Sequence, residues 1–287
     1  MKLRSALIKL YTKLFGKQTG LISDRAFVST LYSISFGKKP CLDAPKTFNE
    51  YICRIKLSDE SLALSDYTDK YAVRSYVAKT VGEQYLTPML GIYDSFDEIP
   101  FAELPSRFAL KATHASGYNL IVRDKNQFDI PAAKKKFDTW LAQNYYLVGR
   151  EKNYKNVTPQ VLVEEYIDFP RPLTEYKLFC FHGKARMICV HRFSNDAHTV
   201  TAYTPQWERL DVTLGYPSEP DLPKPEALDE LLSCAEKLSA PFDFVRIDLY
   251  ANGASIRFSE LTFTPGGGLV HIEPASFAEE MGKWFEQ

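Results

Sequence analysis

The stretch VRIDLYANGASIRFSELTFTPGGG, residues 245–268, constrains this 287-residue chain more than any other. Two apolar-rich runs flank Ala251-Asn252-Gly253 and read as a β-hairpin. Yet Asp248 sits amid Val245, Ile247 and Leu249, and Glu260 lies between Phe258 and Leu261. A carboxylate inside a buried strand is costly unless a cation or metal compensates it. Side chains alternate faces along a strand, so a two-residue Asn252-Gly253 turn would send the two acids to opposite faces. A three-residue loop, Ala251-Asn252-Gly253 with Gly253 left-handed, is expected instead, because it puts Arg246, Asp248, Glu260 and Thr262 on one side.

Cations recur on strands in the same way. Lys111 follows Phe108, Ala109 and Leu110 and precedes the Gly-bearing loop ATHASGYN; Lys177 lies in EYKLFCF; Arg246 is two residues before Asp248. Buried lysines are uncommon without matching anions. A polyanionic ligand with a divalent metal would satisfy acids and bases together, and a nucleoside triphosphate is the simplest such ligand. Mg²⁺ takes hard oxygen ligands, usually one or two carboxylates plus phosphate oxygens, a role open to Asp248 and Glu260. The backbone N–H groups of the Ser116-Gly117 loop suit terminal phosphates. For Asp248 the structural alternative is an ion pair with Arg246 or Arg257, and for Lys177 a solvated hairpin position.

Other chemistries lose ground. There is no GxxxxGK[ST], GxGxxG, HExxH or GxSxG pattern, and the five histidines show no spacing that recommends a catalytic arrangement. A net charge of −1 gives no field for nucleic acid, so no nucleic-acid partner is expected. Five cysteines without a CxxC pair argue against a disulfide framework or zinc site and suit a reducing cytosol. The expected location is therefore cytoplasmic. Residues 1–20 carry Lys2, Arg4, Lys9, Lys13 and Lys17 with no acid, and Leu3, Leu7, Leu10 and Leu14 recur at heptad spacing. This basic amphipathic helix is expected to pack on the N-terminal region with its lysines solvated; the sharper reading is peripheral attachment to an anionic membrane surface or a membrane-bound assembly.

Along the chain, Thr47 and Glu50 form a candidate capping box, and SDYTDKYAVRSYVAKTVG reads as one capped helix ending at Gly82. SRFALKATHASGYNLIVRDK reads as strand, loop, strand, followed by the amphipathic helix AAKKKFDTWLAQNYY. QVLVEEYID is a buried strand, TEYKLFCFHGKARMICVHRF a hairpin across His182-Gly183, and EALDELLSCAEKLSA and SFAEEMGKWFEQ helices.

In order, DKYAVR, FALKATHASGYN, VLVEEYI, EYKLFCFHGK, VRIDLY and SELTFTPGGG resemble the ATP-grasp enzymes, within them the TupA-like group associated with bacterial surface-polysaccharide biosynthesis. The resemblance, from about Phe48 to the end, implies a mixed α+β fold holding ATP between two mainly antiparallel sheets, with an N-terminal α/β region. It implies an N-terminal helical, pre-ATP-grasp part over 1–95, a central subdomain with a mobile Gly loop over 96–168, and a C-terminal subdomain with the metal site over 169–287. Lys111 then resembles the strand lysine on the phosphates, Arg74 an earlier basic residue reaching the nucleotide, and His114 to Asn119, with Ser116 and Gly117, the phosphate-covering loop. Glu164, Glu165, Tyr166 and Ile167 resemble the adenine-reading hinge, with Glu175 placed for the ribose and Lys177 for the phosphates. Arg246 resembles the arginine that steadies the transferring phosphoryl group, and Asp248 and Glu260 the magnesium ligands. Thr262 stands where Asn is commoner, leaving one or two Mg²⁺ ions open. The implied activity is carboxylate–amine ligation through an acyl phosphate, joining an amino acid or other amine to a uronic-acid carboxylate of a glycan precursor. A kinase on the same fold and a non-catalytic ATP-binding subunit of a glycan-assembly complex are the alternatives.

Overall fold

The computed structural model describes residues 2–169, 173–194 and 197–287. Helices α1 (Lys2–Phe15), α2 (Asp24–Phe36), α3 (Phe48–Leu57), α4 (Ser65–Thr68) and α5 (Val73–Thr80) open the chain. Residues 2–88 contain no strand, so the expected N-terminal α/β region is helical. The capping box forms as read: the Thr47 hydroxyl accepts from the Glu50 N–H at 3.3 Å, and the Glu50 carboxylate accepts from the Thr47 N–H at 3.2 Å. The single helix expected over residues 65–82 breaks instead between α4 and α5. There the Asp69 carboxylate accepts the N–H groups of Tyr71 and Ala72 at 2.7 and 3.2 Å, local bonds that compete with a continuous helix.

Strands β1 (Met89–Tyr93), β2 (Phe108–Ala112), β3 (Asn119–Val122) and β4 (Val161–Glu165) form a four-stranded antiparallel sheet in the order β1-β4-β2-β3. Because β1 pairs with β4, this sheet begins at Met89, before the boundary at residue 96 expected from sequence. Helices α6 (Ile130–Leu141) and α7 (Tyr146–Gly149) lie between β3 and β4 in the chain. One face of the sheet (Phe108, Leu110, Ala112, Val122, Val161, Val163) is buried with Ala133 and Phe137 of α6. Ala109 and Lys111 of β2 alternate onto the other face.

Strands β5 (Leu173–Phe181), β6 (Lys184–Phe193) and β7 (His198–Tyr203) join β9 (Phe244–Asn252) and β10 (Ser255–Thr262) in a second antiparallel sheet, ordered β10-β9-β5-β6-β7. Its inner face, including Leu178, Ile188, Val245, Ile247 and Leu249, packs with Leu231, Ala235 and Leu238 of α8 (Leu228–Ser239). On the opposite face Phe179, Phe181, Met187 and Phe244 meet Phe48 and Ile52 of α3. Phe277 and Met281 of α9 (Ala275–Lys283) close that cluster. A two-stranded piece pairs β8 (Thr213–Leu214) with β11 (Ile272–Glu273). The cleft-facing side of the large sheet is therefore apolar at one end and charged at the other.

The hairpin turn departs from expectation. Asn252 pairs with Ser255, so the loop is the two residues Gly253-Ala254, with Gly253 at φ +57° as anticipated. Continued in regular register, that turn would set Ser259 against Asp248. A β-bulge between Phe258 and Glu260 takes up Ser259, and Glu260 pairs with Asp248 and Thr262 with Arg246. The acids do share a face, through the bulge rather than through a three-residue loop.

Candidate active site

At the centre of this face Asp248 is fully buried and holds two cations. Its Oδ1 accepts from Arg246 Nε at 2.7 Å and its Oδ2 from Arg246 Nη2 at 2.7 Å and from Lys177 Nζ. The structural ion pair with Arg246 is thus present, whereas Arg257 turns away to the carbonyls of Gln84 and Ile256. Arg246 Nη2 also reaches the Thr262 hydroxyl at 3.1 Å and Glu260 Oε1 at 3.4 Å, and Thr262 donates to Glu260 at 3.0 Å. Lys177 is 9% exposed and pairs with Glu175 at 2.9 Å, which excludes the solvated hairpin position for it. Ser259, the bulged residue, donates to Glu175 at 2.9 Å, so the bulge also ties β10 to β5.

Burial opposes the charge of Asp248, but Arg246 and Lys177 outweigh it and hold its carboxyl below the usual range. Glu175 goes the other way: burial, reinforced by the charge of Asp248, raises it despite Lys177. Lys177 stays firmly protonated because the attraction of Asp248 and Glu175 exceeds its burial penalty.

On the small sheet, Glu164 is buried and takes Lys111 Nζ at 2.6 Å and Arg74 Nη1 at 2.7 Å, while Arg74 Nη2 donates to Thr87 O at 2.8 Å. Glu164, assigned from sequence to a backbone-reading hinge, therefore positions two cations with its side chain. Glu165, Tyr166 and Ile167 line a cavity of about 180 Å³ with Ala109, Lys111 and Ile121 of the small sheet and Tyr250 of the large one. A second, larger cavity of about 500 Å³, polar where Arg246, Glu260 and Thr262 line it, also contains Ser116, Glu151 and Tyr154. Ser116 and Gly117, with Gly117 at φ +74°, form the exposed tip of the β2–β3 loop.

His114 is a correction. It is 1% exposed, its Nε2 lies 3.0 Å from Trp140 O, and it lines neither cavity. Burial lowers its pKa, which marks a neutral structural imidazole rather than a phosphate-covering group. Lys70 was missed, although it stands within DKYAVR. The break between α4 and α5 sends its Nζ to Ala115 O in the loop. Burial lowers its pKa, and the charges of Glu260, Lys111, Asp69 and Glu164 act on it. Glu151, which accepts from Thr264 at 2.6 Å, was also unsignalled. Tyr154 lines the polar cavity, and burial together with Glu151 and Glu260 pushes its phenol well up, so it stays a proton donor.

The glycines of Pro265-Gly266-Gly267-Gly268 all have positive φ (55°, 60° and 75°). A Cβ on Gly268 would lie 2.8 Å from Cys53 Sγ, and Asn49 and Lys56 of α3 bond the loop carbonyls, with Asn49 Nδ2 2.8 Å from Val270 O and Lys56 Nζ 2.9 Å from Gly267 O. Gly266 and Gly267 thereby wall the polar cavity.

The donor set of Asp248, Glu260 and Thr262 is all oxygen and fits a hard divalent cation that takes further ligands from phosphate. Among the described residues no three His, Cys, Asp or Glu side chains group into a metal site on their own.

Two sheets that share a pocket of mixed lining at one end and carry a cluster of lysine, arginine and carboxylate at the other have the layout of a clamp for a polyanionic ligand. The chain belongs to the TupA-like ATP-grasp family, whose sequence profile matches residues 50–286. A comparison with curated proteins gave no match. Among solved structures the chain is similar to D-alanine–D-alanine ligase from Bacillus anthracis complexed with ATP, at 18% identity and TM-score 0.43, covering 71% of this chain and 57% of that one. It is similar too to D-alanyl-alanine synthetase A from Vibrio cholerae (14%, TM-score 0.45, 77% and 64%). A third is N5-carboxyaminoimidazole synthase from Aspergillus clavatus in complex with ADP and a ribonucleotide (11%, TM-score 0.39, 75% and 46%). The chain thus spans about half to two thirds of the length of these proteins.

Proposed function

We propose that the protein is an ATP-dependent carboxylate–amine ligase working through an acyl phosphate. The observation that carries this reading is that Arg246, Asp248, Glu260 and Thr262 stand on one strand pair, where Arg246, Glu260 and Thr262 wall the larger cavity and Asp248 is buried behind Arg246. In the smaller pocket, the apolar side chains of Ala109, Ile121 and Tyr250 suit the faces of an adenine ring, with Glu165, Tyr166 and Ile167 also in its lining. Lys111, Lys70 and Lys177 would neutralise the phosphates, and Ser116-Gly117 would cover them.

Asp248, Glu260 and Thr262 would hold one or two Mg²⁺ ions, which supply charge neutralisation at the β- and γ-phosphates. A substrate carboxylate oxygen attacks the γ-phosphorus and ADP leaves; an amine nitrogen then attacks the acyl carbon, phosphate departs, and the amine loses a proton. Arg246, freed to turn from Asp248 toward the transferring group, stabilises its charge. Tyr154, protonated, donates a hydrogen bond within the cavity. The substrates proposed are an amino acid or other amine and a uronic-acid carboxylate of a surface glycan or its precursor, in a cytoplasmic setting.

An ADP-release screen of amino acids against uronic acids and their nucleotide-linked forms, with product masses, tests this. Amide plus free phosphate supports the ligase. Phosphate retained on a hydroxyl would make the protein a kinase, and nucleotide binding without ADP release for any pair would make it a non-catalytic subunit.

A further inference from the structure

We propose that α1 docks the protein onto an anionic lipid surface through an unpartnered leucine stripe, an assignment independent of the nucleotide chemistry. The helix packs on the N-terminal region as expected, but not through its leucines. Leu3, Leu7, Leu10 and Leu14 are 75%, 45%, 53% and 52% exposed. The helix is held by its other side. Tyr11 packs on Phe27 at 5.3 Å, Arg4 donates to Ser35 O at 2.7 Å, and Arg150 donates to Phe15 O at 3.3 Å. At about 100° per residue the four leucines fall within an arc of about 60°, roughly opposite Ile8 and Thr12.

The occupant is argued from charge and length. Residues 1–20 hold five basic side chains and no acid; Lys9 and Lys13 are exposed on the helix to one side of the stripe, and Lys17 is exposed just past its end. A basic helix with a leucine face is the pattern that lies in a headgroup layer, apolar side down. No helix among the described residues is long and apolar enough to cross a membrane, so the contact is superficial. A second copy seated on the same stripe would bring like-charged lysine flanks together, which disfavours that partner. The stripe also lies outside the matched family segment, so packing shared by the family does not account for it.

Docking has a consequence for the site. Ile8, Lys9, Thr12 and Lys13 line the same polar cavity as Arg246 and Glu260. A helix lying on lipid by its leucines would therefore keep its opposite side on the cavity, so that α1 stands between the cavity and the headgroups.

The test is co-sedimentation of the full chain with phosphatidylglycerol–phosphatidylcholine vesicles and with phosphatidylcholine vesicles alone, at low and high salt. Binding to the anionic vesicles that weakens with salt is expected, with a loss of about tenfold or more in L7E/L10E and, independently, in L3E/L14E. Retained nucleotide binding shows that each variant is folded. Equal binding to both vesicle types, no binding at all, or undiminished binding by both folded variants overturns the proposal. Self-association in solution that both variants abolish, without vesicle binding, assigns the stripe to a second copy instead.

Discussion

Glu260 stands directly across the strand pair from Asp248 because Ser259 is extruded as a bulge between them and the turn. Two carboxylates on facing positions of adjacent strands repel unless cations intervene. Arg246 reaches both of them and Lys177 reaches Asp248, so the protein neutralises its own acids with groups that a bound polyanion would compete for.

That arrangement predicts an asymmetric response to mutation. R246M leaves Asp248 buried with Lys177 alone and should cost about 3–5 kcal/mol, whereas the double variant R246M/D248L should be clearly more stable than R246M. Denaturant unfolding of the set measures this. Equal stability of R246M and the double variant would show that Asp248 does not depend on Arg246 for compensation.

Lys70 is expected to order the β2–β3 loop from below. K70M removes the bond to Ala115 O and a charge near Glu260 and Glu164, so nucleotide affinity should fall by about tenfold. The fold should not weaken much, since burying that ammonium is itself unfavourable. Hydrogen exchange over residues 113–118 should rise in parallel. Unchanged affinity and exchange would remove Lys70 from the site.

His191 gives a pH signature. Its Nδ1 lies 3.0 Å from His198 Nε2, and burial with the nearby charges of Lys177 and Arg246 pushes its pKa down to about 2. In the unfolded chain it takes a proton near pH 6.5, while the folded protein refuses it. The unfolded state therefore binds more protons below that pH, and stability must fall as pH drops, by about 2 kcal/mol between pH 6.5 and pH 5 from this group. Asp248, whose folded pKa lies below its ordinary value, keeps its contribution throughout this window and loses it only in stronger acid. H191N should flatten the unfolding free energy between pH 7 and pH 5; an identical slope in the variant contradicts the assignment.

Much of this was legible in the sequence because strand alternation and desolvation act locally. Acids and cations spaced among Val245, Ile247 and Leu249 announce a charged face, and Thr47 with Glu50 announces a helix start. Registers that depend on an extra residue were not legible: nothing in SIRFSELT marks Ser259 as the bulge, and its bond to Glu175 exists only once β10 and β5 lie close together. The break that aims Lys70 arises from Asp69 bonding its own neighbours, against a pattern otherwise helical from residue 65 to 80. His114 misled because its position in the loop motif says nothing of burial, which Trp140 decides from α6. The exposure of the α1 leucines likewise follows from which side the body grips, not from their spacing.

The most direct test of the account is calorimetric binding of a non-hydrolysable ATP analogue with Mg²⁺ and with EDTA, for wild type, D248N and E260Q. Mg²⁺ should tighten wild-type binding by at least about tenfold, and that gain should vanish in both variants. Metal-independent affinity in the wild type, or an undiminished gain in both variants, would contradict the claim that this bulged strand pair holds the nucleotide's metal.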